Sequence, residues 1–240
     1  MGESINGTLG NVILEAHDVR KQFFRKGRDS ARDFDAVKSC NLALSAGEFV
    51  ALMGRSGSGK STLLNMLAGL LEPTDGSVLL HDPSTAVVQD VYALSDGELS
   101  ALRNRFIGVV PQGQTALHSL TVVQNVMLPL LMYGKDDTAE QRALNLLEKL
   151  GIHDLADSYP RELSGGELRR MAIARALMNE PALILADEPT SDLDDENTAT
   201  ALRLLREAAD EGAAVLVVTH ESDVTAYTDR VLRMSAGELS

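Results

Sequence analysis

Gly54-Arg55-Ser56-Gly57-Ser58-Gly59-Lys60-Ser61 decides how the rest of this chain is read. It follows the apolar run Phe49–Met53 and opens an apolar-periodic stretch, so the spacing predicts a strand, a tight loop and a helix. The pattern G-x-x-x-x-G-K-[ST] is that of a phosphate-binding loop. Glycines let the backbone wrap closely, and successive N–H groups then point inward as an anion nest. A helix starting near Lys60 adds its positive dipole end. Lys60 brings a cation to the β- and γ-phosphates, and the Ser61 hydroxyl is a hard oxygen ligand suited to Mg²⁺. Residues 54–61, with Thr62 after them, form the expected nucleotide cradle. A chance match in a chain of this length has a probability on the order of 1%, and the strand–helix context lowers it further.

Outward from this loop, short β-rich runs alternate with amphipathic stretches, which predicts an α/β domain with a largely parallel sheet. Val12–Val19 reads as a strand, and Ala182–Ala186 and Ala213–Val218 as central strands covered on both faces. Ser95–Glu98, Thr121–Gln124 and Ser164–Glu167 fit the capping box, and Gly151 and Gly212 stand where left-handed residues would close helices. The stretch 112–179 reads as a helical arm inserted into one domain spanning 1–240, with the core at about 1–111 and 180–240. The polar segment Gly27–Asp33 is expected to be an exposed hairpin loop.

Two more motifs bear on chemistry. Leu183-Ile184-Leu185-Ala186-Asp187-Glu188 delivers adjacent carboxylates at the end of a buried strand. Asp187 suits a Mg²⁺ shell, and Glu188, pointing elsewhere, suits the polarisation of a water aimed at the γ-phosphate. Leu163-Ser164-Gly165-Gly166-Glu167 would serve as a plain helix cap, yet its glycines each cost about 1 kcal/mol relative to Ala in a helix. A helix tip bared for backbone contact with a phosphate accounts for them.

Charge and composition set limits. Lys and Arg number 22 against 35 Asp and Glu, a net −13, which weighs against nucleic acid as a partner. One cysteine, Cys40, excludes an internal disulfide. The longest apolar run, Val126–Tyr133, falls short of a bilayer span and contains Pro129. The first ten residues carry no secretory pattern, and Met1-Gly2 lacks the Ser or Thr that myristoylation wants. The expectation is a cytoplasmic chain that reaches the membrane only through a partner.

The phosphate loop, LSGGE at 163–167, ADEPTSDLD at 186–194 and Val217-Val218-Thr219-His220 together resemble the ATP-binding-cassette (ABC) ATPases, and the resemblance covers nearly the whole chain. It implies a P-loop NTPase core with a mainly parallel sheet, an antiparallel β subdomain and an inserted helical subdomain. It implies ATP hydrolysis with Mg²⁺, catalysed through Glu188, His220, Gln112 and Lys60, with Ser61, Gln112 and Asp187 around the metal. It implies that two cassettes close head to tail on two ATP molecules. Ser164, Gly165, Gly166 and Glu167 of one would then face the nucleotide held by the other's Lys60. Gln112 falls at the Q-loop, Ser191–Asp194 at the D-loop and His220 at the switch histidine. Phe23 falls at the adenine-stacking aromatic, with Phe24 as competitor. Arg55 stands where Pro is common, Pro111 where an aromatic is frequent, and Asp192 where a small residue is frequent.

Val122–Leu131 and the Leu94–Arg103 insert are similar to the branch serving lipoprotein-release, macrolide-export and cell-division permeases. That branch implies a dimeric permease with four transmembrane helices per subunit and a large extracytoplasmic domain, and a cassette peripheral on the inner face of the membrane. Cassette closure would be converted into transport or into motion on the far side. Met127 and Met132 are candidate linings of the permease-docking groove, and the −13 charge suggests a basic docking surface on the permease. A soluble, iron–sulfur-assembly type of cassette is the alternative, against which these two stretches argue.

Overall fold

The structure is a computed structural model that describes residues 12–26, 31–113, 115–132, 134 and 136–240. The start of the chain and residues 27–30 of the expected loop therefore lie outside the described residues.

A six-stranded sheet is built from β3 (Phe49–Met53), β6 (Ile107–Val110), β7 (Leu183–Asp187), β8 (Ala214–Thr219), β9 (Arg230–Ser235) and β10 (Glu238–Leu239). Its order is β10-β9-β3-β8-β7-β6, with β10 antiparallel to β9 and every other pairing parallel. A four-stranded antiparallel sheet, order β2-β1-β4-β5, comprises β1 (Val12–Lys26), β2 (Ala31–Ser45), β4 (Asp75–His81) and β5 (Val88–Asp90). Between β6 and β7 come three α-helices: α3 (Val122–Leu131), α4 (Ala139–Lys149) and α5 (Gly165–Leu177). The other α-helices are α1 (Lys60–Leu67), α2 (Asp96–Phe106) and α6 (Asp195–Asp210).

Strand periodicity divides the core. Along β3, Phe49 and Ala51 join one apolar cluster, with α3–α6, while Val50 and Leu52 join the other, with α1 and the antiparallel sheet. Strand β7 splits the same way, Ile184 and Ala186 against Leu183 and Leu185. All of these are buried, as expected of parallel strands covered on both faces. Each fully buried Val, Leu or Phe contributes roughly 1.5–3 kcal/mol relative to exposure, so the sheet is the rigid member on which the loops hang.

All three predicted capping boxes form, at Ser95, Thr121 and Ser164. Gly151 and Gly212 take positive φ, 65° and 112°. Other boundaries differ from the sequence reading. Strand β1 runs on to Lys26, because its polar second half pairs with β2. Residues 31–33 are consequently strand and not loop. Strands β7 and β8 each sit one residue later than read, so Asp187 is the last residue of its strand. No helix among the described residues is long and apolar enough to cross a membrane.

Candidate nucleotide site

At the carboxyl end of β3 the chain turns sharply into α1. A Cβ on Gly54 would lie 2.2 Å from the Met234 carbonyl oxygen, and one on Gly59 2.2 Å from that of Ala36. Gly59 also has φ 108°, so neither position tolerates a side chain. Lys60 is 7% exposed, and its Nζ donates to the carbonyls of Gly54 (2.7 Å) and Arg55 (3.2 Å). The ammonium is thus held over the loop. The Ser58 Oγ is buried without a hydrogen-bond partner.

A cleft of about 630 Å³ opens above this loop. Phe23 and Phe34 line it, their ring centroids 5.9 Å apart. Ser56, Gly57, Gly59, Lys60, Ser61 and Thr62 form part of its floor. Gln112, Asp187, Glu188, Ser191 and His220 also line it. Phe24 is 67% exposed and does not line the cleft. A lining that combines two apolar rings with a cation and bare loop backbone suits a base and a polyphosphate.

The two strand-end carboxylates diverge. Asp187 is 5% exposed and its Oδ1 lacks a partner. Burial, with the neighbouring Glu188 charge, holds its carboxyl above the usual range, against the opposing effects of Ser61, Lys60 and Arg169. A buried, unmet carboxylate oxygen beside a serine hydroxyl and a lysine fits a hard divalent cation. Glu188 turns away because its φ is 50°, a left-handed conformation that costs a non-glycine residue roughly 1–2 kcal/mol. Its backbone N–H donates to the Val218 carbonyl at 2.8 Å. Its carboxylate accepts from Thr219 Oγ1 (2.9 Å) and meets His220 Nδ1 at 2.8 Å. The Glu188 contact raises the His220 pKa. The imidazole is otherwise open to the cleft, its side chain 65% exposed.

A sequence profile of the family described as "ABC transporter" matches residues 37–191. The chain belongs to the ABC transporter family. The lipoprotein-releasing system ATP-binding protein LolD of Aquifex aeolicus is 40% identical over 228 residues, covering 95% of this chain and 96% of that one. The macrolide export ATP-binding/permease protein MacB of Rhodopirellula baltica is 42% identical over 230 residues, which cover 94% of this chain but 32% of MacB. A dimeric structure of the ATP-binding cassette MJ0796 bound to ADP and Pi superposes with a TM-score of 0.86 at 36% identity, covering 95% of this chain and 97% of that one. This ABC subunit is therefore an ATP-binding, ATP-hydrolysing subunit of a transporter. The soluble alternative finds no support in these relatives.

Within one copy of the cassette, Ser164, Gly165, Gly166 and Glu167 do not line the cleft. Ser164 Oγ caps the N–H of Glu167, whose carboxylate takes the Ser164 N–H at 2.7 Å. Met127 packs against the core, whereas Met132 is 71% exposed in a separate groove with Leu128 and Pro129. Sequence reasoning missed Phe34 in the cleft and Arg169 beside it. Phe34 reaches the cleft through the β1–β2 register, opposite Phe23. Arg169 donates to the carbonyls of Pro111 (2.7 Å) and Gln112 (2.8 Å) and to Ser191 Oγ (2.8 Å). It ties the segment carrying Gln112 to the turn after Glu188, and no local pattern announces a contact 58 residues away.

Proposed function

We propose that two copies of this chain close head to tail on two ATP molecules and drive a permease of the lipoprotein-release and macrolide-export type from the cytoplasmic face of the membrane. The permease has four transmembrane helices per subunit and a large extracytoplasmic domain, and closure is transmitted to that domain. The observation that carries the reading is that the Ser164 tip does not line the Lys60 cleft of its own chain, which leaves it free to serve the cleft of a second copy.

Phe23 stacks on the adenine, with Phe34 beside it. The loop N–H groups and Lys60 hold the β- and γ-phosphates, which replace the Gly54 and Arg55 carbonyls as partners of Nζ. Ser61, Asp187 and Gln112 hold Mg²⁺, which when bound neutralises developing charge on the phosphates. Glu188, fixed by Thr219 and His220, orients and deprotonates the attacking water. His220, which lines the same cleft, contacts the γ-phosphate. The Ser164–Gly166 tip of the partner supplies backbone donors to that phosphate, so water's attack, cleavage of the β–γ bridging P–O bond and departure of inorganic phosphate remove the group that both copies share, and the pair reopens.

The groove lined by Leu128, Pro129 and Met132 is the docking site for the permease. Its charged lining is Arg103 and Arg175. An acidic permease segment fits it better than the basic one suggested by net charge. Affinity capture of the chain from its own membranes, in mild detergent, tests the reading. A permease with four helices per subunit and a large external domain is expected. Recovery of a six-helix exporter, or of no membrane protein, contradicts it.

A further inference from the structure

Two residues that depart from the common pattern, Arg55 and Asp192, stand where the closed pair would bring them together. Arg55 sits in the phosphate loop between Gly54 and Ser56. Its carbonyl is pinned by Ser58 N–H at 3.1 Å and Lys60 Nζ at 3.2 Å, while the residue is exposed. Asp192 packs on the tip of α5. Its Cβ lies 3.8 Å from where a Cβ on Gly165 would stand, and its carbonyl oxygen 3.0 Å from the same position on Gly166. Its φ of 69° turns the chain there, and the residue is exposed. Among the described residues neither side chain has an ion-pair partner within 4.0 Å, although Arg169 lies near enough to Asp192 to feel its charge.

We propose that Arg55 of one copy and Asp192 of the other form an ion pair across the closed seam. The proposal rests on the composite-site reading above. If the tip of one copy closes on the phosphate cradled by the other, then Asp192, seated against the tip, arrives at the loop that carries Arg55. The two-fold symmetry of a closed homodimer makes the contact twice. Each copy carries a net charge of −13, so two copies repel at long range, and opposite charges at the seam offset that repulsion locally. The guanidinium suits the role, since its planar fork meets a carboxylate through two N–H groups.

Sedimentation of the full chain with Mg²⁺ and a non-hydrolysable ATP analogue tests it. Arg55→Glu and Asp192→Arg should each weaken dimerisation about tenfold to a hundredfold, since each places like charges opposite one another. The double exchange should return the dimer to within about threefold of the wild type, because it restores both pairs with their signs reversed. ATP affinity of the dilute monomer should be unchanged in Asp192→Arg, because Asp192 does not line its own copy's cleft. Single variants that dimerise like the wild type, or a double variant no better than the singles, overturn the pair while leaving the composite site standing. A wild type that stays monomeric with nucleotide overturns the composite site and the pair with it.

Discussion

Replacing Glu188 by Gln separates chemistry from structure at this site. The carboxylate has two anchors, Thr219 Oγ1 at 2.9 Å and His220 Nδ1 at 2.8 Å. An amide of the same shape keeps both: its oxygen accepts from Nδ1–H, and its NH₂ faces Thr219 Oγ1, whose hydroxyl proton can rotate away. The backbone at φ 50° is as strained with Gln as with Glu. The fold should therefore hold, with melting shifted by no more than roughly 2–4 °C, the equivalent of about 1 kcal/mol. What is lost is the proposed base. Removing a general base costs about 10²–10⁴ in turnover, or about 3–5 kcal/mol of barrier. Phosphate release should fall by that factor while ATP binding, followed with a fluorescent nucleotide, is retained or tightened, and the ATP-bound dimer should accumulate. Turnover within about tenfold of wild type, with binding and melting unchanged, would refute the role.

Other consequences follow from the same geometry. Asp187 carries a raised pKa from burial, so its ionisation opposes folding above that raised value and the opposition vanishes below 3.8. Asp187→Asn should raise the melting temperature of the nucleotide-free protein at pH 7 by about 2–4 °C per kcal/mol gained and abolish its response to Mg²⁺; a lower melting point at pH 7 contradicts this. The raised His220 pKa means that its pairing with Glu188 is fully present below the ordinary 6.5 and is lost as pH rises through the raised value. The imidazole signals should titrate above 6.5 in the wild type and fall back toward it in Glu188→Gln, and identical midpoints would sink the pairing. Gly59→Ala should destabilise the chain by more than about 1 kcal/mol, since its Cβ meets the Ala36 carbonyl and its φ is left-handed. A melting curve like the wild type's would show that the loop can relax.

The fold was legible where chemistry is local. Phe49–Met53 matched its strand, the capping boxes marked three helix starts, and the Gly-rich loop marked the turn into α1. What escaped depends on pairing between distant segments. The second half of β1 is polar, and only its register with β2 makes it strand and brings Phe34 to Phe23. Strands β9 and β10 complete the sheet with exposed, weakly patterned residues. Asn125 reads as a polar intrusion in an apolar run. It is fully buried, and its side chain holds the Leu117 N–H and the carbonyls of Leu117, Leu120 and Thr121, fixing the entry to α3. The loop–helix contacts of Arg169 are equally non-local, which is why Glu188 could be read from the sequence but the residue bracing its surroundings could not.

Mixing two disabled copies tests the composite site most directly. Lys60→Ala removes the phosphate cation but keeps the α5 tip. Ser164→Asp keeps a capping oxygen but sets a carboxylate where the partner's phosphate should rest. Each variant alone should fail to retain ATP at dimer mass. Their mixture should recover it, because one intact site then forms from the tip of the first and the Lys60 loop of the second. Retention of ATP at dimer mass by Ser164→Asp alone, or no recovery on mixing, would contradict a nucleotide shared between two copies.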